Sequence, residues 1–358
     1  MRTHAAALHD RFGEAAESGA WATSYVGGGT PSALPSPVLA ALLPLAAPRQ
    51  GAEYTIEANP EDLSADFLSL ALDSALTRMS VGVQSLEEPV RRAVRRRGEA
   101  EAVRARLEGF ARAWSRRWSA DFIYGLPFQS PEGLARDLRG VLELGAGHIS
   151  LYELGLSEGS PLARAVASGE LDLPDKALLG ELYGAAAETL RAAGFRRYEL
   201  SNWARPGQEC DHNRRYWSMA GWLALGPSAS ATLRSGGGRF LRIENAADLR
   251  AYVADPLGSG REELVQGFDA RFEYIMMALR CADGVELQDY ERFFGESFDD
   301  TFGPALASFP GYGRYGRGRW APSEAGLDGL KELLLASLDR REAFERRGGA
   351  PATMEGGL

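Results

Sequence analysis

Cysteine is nearly absent. The 358 residues hold two, Cys210 and Cys281, which excludes a disulfide framework and a cysteine-rich zinc site and fits a reducing, cytoplasmic compartment. Lysine is as scarce: Lys176 and Lys331 stand beside 38 arginines in a total of 40 cations. With arginine this common, a single arginine run says little about phosphate binding. The formal charge is −9, so no global basic field invites nucleic acid or an anionic membrane. No stretch reaches the ~18–20 uninterrupted apolar residues of a transmembrane helix. The start, Met1-Arg2-Thr3-His4 and an alanine-rich run carrying His9, Asp10 and Arg11, lacks the apolar core of a secretory signal. What is present is ordinary for a globular chain, 45% apolar and 25% charged, which excludes wholesale disorder.

From Thr23 to about Leu200, short β-rich runs alternate with amphipathic helices. The strand candidates are Thr23–Val26, Glu53–Ala58, Thr77–Val83, Ala120–Tyr124, His148–Leu154 and Arg197–Ser201. Helices are expected near Pro37–Leu45, Glu61–Leu72, Glu99–Trp114, Pro131–Leu144 and Pro174–Ala193. This βαβ rhythm predicts a parallel sheet, either doubly wound or an α/β barrel, with function at the C-terminal strand ends. Residues 203–261 read as loops with short strands, including Gly236-Gly237-Gly238. A helical block follows, with Phe272, Ile275, Met276 and Leu279 on one face, then helices Leu287–Phe294 and Asp299–Leu306, a hairpin over Arg314–Pro322, and Ser323 capping Glu324–Leu338. That order is winged-helix-like. Its many acids make it a packing domain rather than a nucleic-acid reader. The tail from Arg341 reads as a frayed helix and then disorder.

Unusual residues collect at the strand ends. Gly27-Gly28-Gly29-Thr30-Pro31 lets a ligand approach the backbone, although it has neither a Walker ending nor a dinucleotide spacing. Glu57, Gln84, Arg96 and Asp121 add two carboxylates, an amide and a guanidinium. Such a set suits a zwitterion carrying a sugar: acid for ammonium, arginine for carboxylate, amide and acid for ribose hydroxyls. Each turn alone is equally well explained as strand punctuation or local ion pairing.

Several runs come in a family order: Tyr25-Val-Gly-Gly-Gly-Thr-Pro-Ser32, Thr55-Ile-Glu-Ala-Asn-Pro60, Arg78-Met-Ser-Val-Gly-Val-Gln-Ser85, Asp121-Phe-Ile-Tyr-Gly-Leu-Pro127, His148-Ile-Ser-Leu-Tyr-Glu-Leu154, Arg197-Tyr-Glu-Leu-Ser-Asn202 and Cys210-Asp-His-Asn-Arg-Arg-Tyr-Trp217. Together they resemble the oxygen-independent coproporphyrinogen oxidase family of radical SAM proteins, in its HemW haem-chaperone branch, over roughly Tyr25 to Leu338. The resemblance implies an open α/β barrel (1–202, truncated), a haem-motif region (203–261) and a C-terminal helical domain (262–340); the tail beyond them (341–358) reads as disordered from its own sequence. S-adenosylmethionine would meet Gly28, Gly29, Thr30 and Glu57 with its amino end, Arg96 with its carboxylate, Gln84 and Asp121 with its ribose, and Gly155 with its adenine.

The resemblance also implies haem at His212, the candidate axial ligand, with Tyr216 and Trp217 stacking and Arg214 and Arg215 at propionates. His148 reads as structural, and His4 and His9 carry no signal. One departure stands out. The family holds a [4Fe–4S] cluster through a Cys-x3-Cys-x2-Cys loop before the glycine motif, and no cysteine precedes Gly27. The chain as written does not supply those ligands, and it reads as starting inside the helix after that loop, with Met1 an internal start. Three functions follow as expectations: a haem chaperone handing haem to an unnamed acceptor protein, a coproporphyrinogen III dehydrogenase, or a cluster-less binding module.

Overall fold

The computed structural model describes residues 1–13 and 20–346. They form two compact units: 20–197 with Ser201–Cys210, and 1–13 with Tyr198–Leu200 and 211–346. The sequence boundaries at 202 and 261 are not where these units divide.

In the first unit β1 (Thr23–Val26), β2 (Glu53–Ala58), β3 (Arg78–Gln84), β4 (Arg117–Tyr124) and β5 (His148–Glu153) pair in parallel in strict sequence order. A doubly wound sheet reverses its strand order part-way, so this topology decides for single winding, as in an α/β barrel. The alternation of side chains sorts the two faces. Tyr54, Ile56, Met79, Val81, Trp118, Ala120, Phe122, Ile149 and Leu151 all join one apolar core with Phe67, Leu107, Phe110, Leu138, Leu182 and Leu190 from the covering helices. The opposite face is polar: Thr55 pairs with Arg78, Glu57 with Ser80, Ser80 with Ser119, Ser119 with His148, and Asp121 with Ser150. Three of the covering helices start at hydroxyl or carboxylate caps, Ser64 to Phe67 N (3.2 Å), Ser130 to Gly133 N (3.1 Å) and Asp175 to Leu178 N (2.8 Å).

The expected sixth strand is corrected. Instead of Arg197–Ser201 there are β6 (Arg196–Arg197) and β7 (Asn202–Ala204), antiparallel to each other, with β7 antiparallel to β5. The intervening backbone bonds elsewhere: Leu200 N donates to the Arg280 carbonyl (2.8 Å) and Ala282 N to that of Tyr198 (2.9 Å).

The second unit is more regular than its loop-rich sequence implies. β8 (Ser230–Ser235), β9 (Arg239–Glu244) and β10 (Arg261–Val265) form an antiparallel sheet. The glycine triplet is the β8–β9 turn, with Gly237 and Gly238 at φ +70 and +69, and a Cβ on Gly238 would lie 2.8 Å from Phe294. β11 (Val285–Glu286), β12 (Gly313–Gly316) and β13 (Arg319–Pro322) make the small sheet of the winged-helix-like part, and Ser323 caps its following helix through Gly326 N at 3.1 Å. The buried face of helix Gly267–Ala278 is shifted from the expected one. Phe268, Tyr274, Ile275 and Ala278 are buried, whereas Phe272 and Met276 are half-buried. His4 carries more than expected, too. It is fully buried and its Nδ1 lies 2.8 Å from the Tyr252 hydroxyl. Arg341–Arg346 is helical; the disorder expected beyond it lies outside the described residues.

Candidate functional site

The glycine loop leaves β1 directly against the end of β2. Tyr25 Oη donates to Glu57 Oε1 at 3.1 Å, and Gly28 N donates to Oε2 at 3.2 Å. Gly27 is required here, because a Cβ would sit 2.7 Å from the Glu57 carboxylate and 2.8 Å from the Tyr25 ring. Gly28 holds φ +82, and Gly29 faces open space. Burial pushes the Glu57 carboxyl above its ordinary range, and Asp121 adds to the rise. An ammonium brought to this carboxylate relieves that cost.

Asn59 ties the next elements together. Its Nδ2 reaches Thr30 Oγ1 at 3.5 Å, and its Oδ1 accepts from Arg96 Nη2 at 3.2 Å; Arg96 Nη2 also donates to the Gly82 carbonyl at 2.6 Å. Arg96 Nε is buried and has no acceptor, and burial lowers the guanidinium's pKa. Gln84 follows a bulge in β3 and adopts φ +63, a left-handed conformation costly for a side chain with a Cβ. Two buried groups hold that turn. Asp137 accepts from Ser85 Oγ (3.0 Å) and Leu86 N (2.6 Å), and Arg91 donates to the Ser85 carbonyl (3.0 Å) and Glu61 (2.7 Å). In the run Arg95-Arg96-Arg97, only Arg96 turns inward toward the strand ends.

Asp121 lies on the polar face, the register partner of Gly82 on one side and Ser150 on the other. Ser80 Oγ donates to it at 2.9 Å, and Ser119 and Ser150 add further hydroxyl donors. Burial raises its carboxyl despite these bonds. Gly155 is exposed just beyond β5, at the same strand end, with nothing close to its Cβ position. The structure therefore brings together Gly28, Thr30, Glu57, Gln84, Arg96 and Asp121, and leaves Gly29 and Gly155 at the open margin.

The haem-motif residues lie in the second unit on helix Asp211–Trp217. His212 and Tyr216, one turn apart, meet edge to face at 5.0 Å between ring centroids, and Tyr216 packs on Trp222 at 4.5 Å. Arg214 pairs with Asp283 at 3.1 Å. Trp217 is half-buried and its Nε1 has no acceptor. Cys210 belongs to the α/β unit, is fully buried, and donates its thiol to Glu53 Oε1 at 3.2 Å.

Residues 6–139 match the radical SAM superfamily, and residues 267–327 match the HemN C-terminal domain. The heme chaperone HemW of Mycobacterium tuberculosis is 36% identical over 278 residues, 74% of this chain and 69% of that protein. The Escherichia coli K12 heme chaperone HemW is 32% identical over 327 residues, 88% and 84% of the two chains. The chain belongs to the HemW branch of the radical SAM family. A bovine member, named radical S-adenosyl methionine domain-containing protein 1, mitochondrial, is 32% identical over 75% of this chain and 63% of its own length. The solved coproporphyrinogen III oxidase HemN of E. coli superposes with a TM-score of 0.70 at 20% identity, covering 88% of this chain and 77% of that one. That likeness shows the fold, a TIM-like barrel with a C-terminal helical domain.

The residues of this HemW-branch chain do not fit a [4Fe–4S] cluster. Its two cysteines fall in different units and are both buried. Burial, with Glu199 and Asp283 nearby, raises the Cys281 thiol well above its ordinary pKa. Among the described residues no three His, Cys, Asp or Glu side chains converge as a metal site, whereas such a cluster needs three thiolates. Sequence reasoning passed over Asn59, Arg91 and Asp137, which position the site, and Trp222, which extends the aromatic face. Asn59 was signalled by its place before Pro60 at a strand end; Trp222 had no local signal.

Proposed function

We propose that the chain is a haem chaperone of the HemW type, binding haem as cargo on helix Asp211–Trp217 and S-adenosylmethionine at the strand ends of its α/β unit. The observation that carries the haem half is the aromatic face His212–Tyr216–Trp222, at 5.0 and 4.5 Å, on a part-exposed helix. Imidazole is a usual axial ligand, and the neighbouring rings offer a macrocycle apolar contact. Cys210 is no rival ligand, since its thiol is enclosed beside Glu53.

S-adenosylmethionine fits the first unit on a structural ground: Arg96 carries a buried Nε without an acceptor, and Glu57 is a half-buried carboxylate held above its ordinary pKa. When bound, the molecule supplies a sulfonium and an adenosyl group. Glu57 with Gly28 and Thr30 would hold its ammonium end and Arg96 its carboxylate. Gln84 and Asp121 would take the ribose hydroxyls, and Gly155 would border the adenine. No radical step is derived for these residues, because the cluster does not fit them. The dehydrogenase reading needs that step and is the less supported. A cytoplasmic setting agrees with the cysteine usage, and no helix among the described residues is long and apolar enough to cross a membrane.

Hemin titration tests the reading. The full chain should give a shifted Soret band, His212→Ala should weaken or move it, and Cys210→Ala should leave its position unchanged. Wild-type spectrum and affinity in His212→Ala would remove His212 as the ligand.

A further inference from the structure

Helix Asp211–Trp217 shows a second face, on the other side from His212 and Tyr216, and that face is short of acceptors. Trp217 Nε1 and, three residues earlier, Arg214 Nε are both buried N–H donors with no partner. The Arg280 guanidinium lies over the Trp217 ring at 5.4 Å. Its Nε donates to the Met276 carbonyl at 3.2 Å, and no carboxylate among the described residues pairs with it. Arg214 differs in this respect, since Asp283 already neutralises it at 3.1 Å and its guanidinium stacks on Tyr198 at 5.8 Å.

We infer that Arg280 and the Trp217 indole N–H form a carboxylate-binding site on this second face of the helix. The chemistry selects the class. A guanidinium presents a planar fork that a carboxylate meets with two oxygens, and the spare lone pairs can accept from an indole N–H alongside. Buried donors left without acceptors are rare in folded proteins and call for a partner. Trp217 is half-buried with its N–H closed off, so the carboxylate reaches it only after a small turn of the indole, while Arg280 makes the first contact. An uncompensated cation beside an aromatic ring suits an acid that also carries apolar surface. On the haem-chaperone reading, on which the source of the carboxylate rests, that group is a haem propionate.

Two titrations of the full chain test the site separately from the reading. In the first, sodium propionate is followed at the Trp217 indole N–H resonance, assigned by its loss in Trp217→Phe. The resonance should move in the wild type and stay fixed in Arg280→Gln; no movement in the wild type overturns the site, and an equal response to inorganic phosphate overturns the carboxylate class. In the second, hemin is compared with its dimethyl ester. Hemin should bind about tenfold more tightly, and Arg280→Gln should bring the ratio near one without moving the Soret band. Equal affinities in the wild type would refute propionate recognition and leave the haem reading standing. If neither porphyrin binds while propionate still moves the indole signal, the haem source falls and the carboxylate site remains.

Discussion

Gly27→Ala is the sharpest perturbation of the strand-end site. The new Cβ would stand 2.7 Å from the Glu57 carboxylate and 2.8 Å from Tyr25 Cε1, closer than real side-chain contacts allow. Glu57 can yield only by leaving its bonds to Tyr25 Oη and Gly28 N, at 3.1 and 3.2 Å. A hydrogen bond to a charged group contributes ~1.5–3 kcal/mol, and water at this open loop replaces part of two such bonds, so the net loss is about 1–2 kcal/mol. Gly29→Ala is the internal control. Nothing lies within 4 Å of its Cβ position and its φ is not in the left-handed region, so its effect should stay within about 0.5 kcal/mol. Urea unfolding should therefore order the midpoints as wild type and Gly29→Ala together, with Gly27→Ala clearly below. Calorimetry with S-adenosylmethionine should show about a tenfold loss of affinity in Gly27→Ala, the equivalent of ~1.4 kcal/mol. A Gly27→Ala midpoint equal to that of Gly29→Ala, with wild-type affinity for S-adenosylmethionine, would refute the claim that Gly27 exists to seat Glu57.

Burial, reinforced by Arg78 and Arg117, holds the His148 imidazole well below its ordinary 6.5. The unfolded chain takes up this proton and the folded chain does not, so stability is lost as pH falls below about 6.5, at up to ~1.4 kcal/mol per pH unit. His148→Gln should flatten the slope of urea midpoints between about pH 6 and 5; unchanged slopes would show that His148 is not its source. Cys210→Ala should destabilise by about 1–2 kcal/mol, because Glu53 loses a buried donor, and a neutral result in urea would overturn that assignment. These 358 residues, reconstituted anaerobically with iron and sulfide, should develop no iron–sulfur absorbance and form no deoxyadenosine. Stoichiometric deoxyadenosine from this chain would sink the ligand-count argument.

The sequence by itself determined the parallel order of the core. Period-two apolar runs such as Tyr54–Ile56–Ala58 and Met79–Val81–Val83, separated by helices with Ser and Asp caps, leave few ways to bury both patterns. It also pointed to the strand ends at which the candidate site is built, since glycine loops and isolated polar residues are local signals. It did not determine the winding, because the strand–helix order along the chain is the same for both and they differ in which strands become neighbours. Tyr198–Leu200 reads as a strand, yet its backbone pairs with Arg280 and Ala282 some eighty residues away, and no local pattern encodes a partner at that distance. The same holds for Asn59 between Thr30 and Arg96, and for Trp222 and Arg280 beside the 211–217 helix. Periodicity reports which face of an element is buried. Only tertiary packing decided which distant side chain meets it, and so which donors were left without an acceptor.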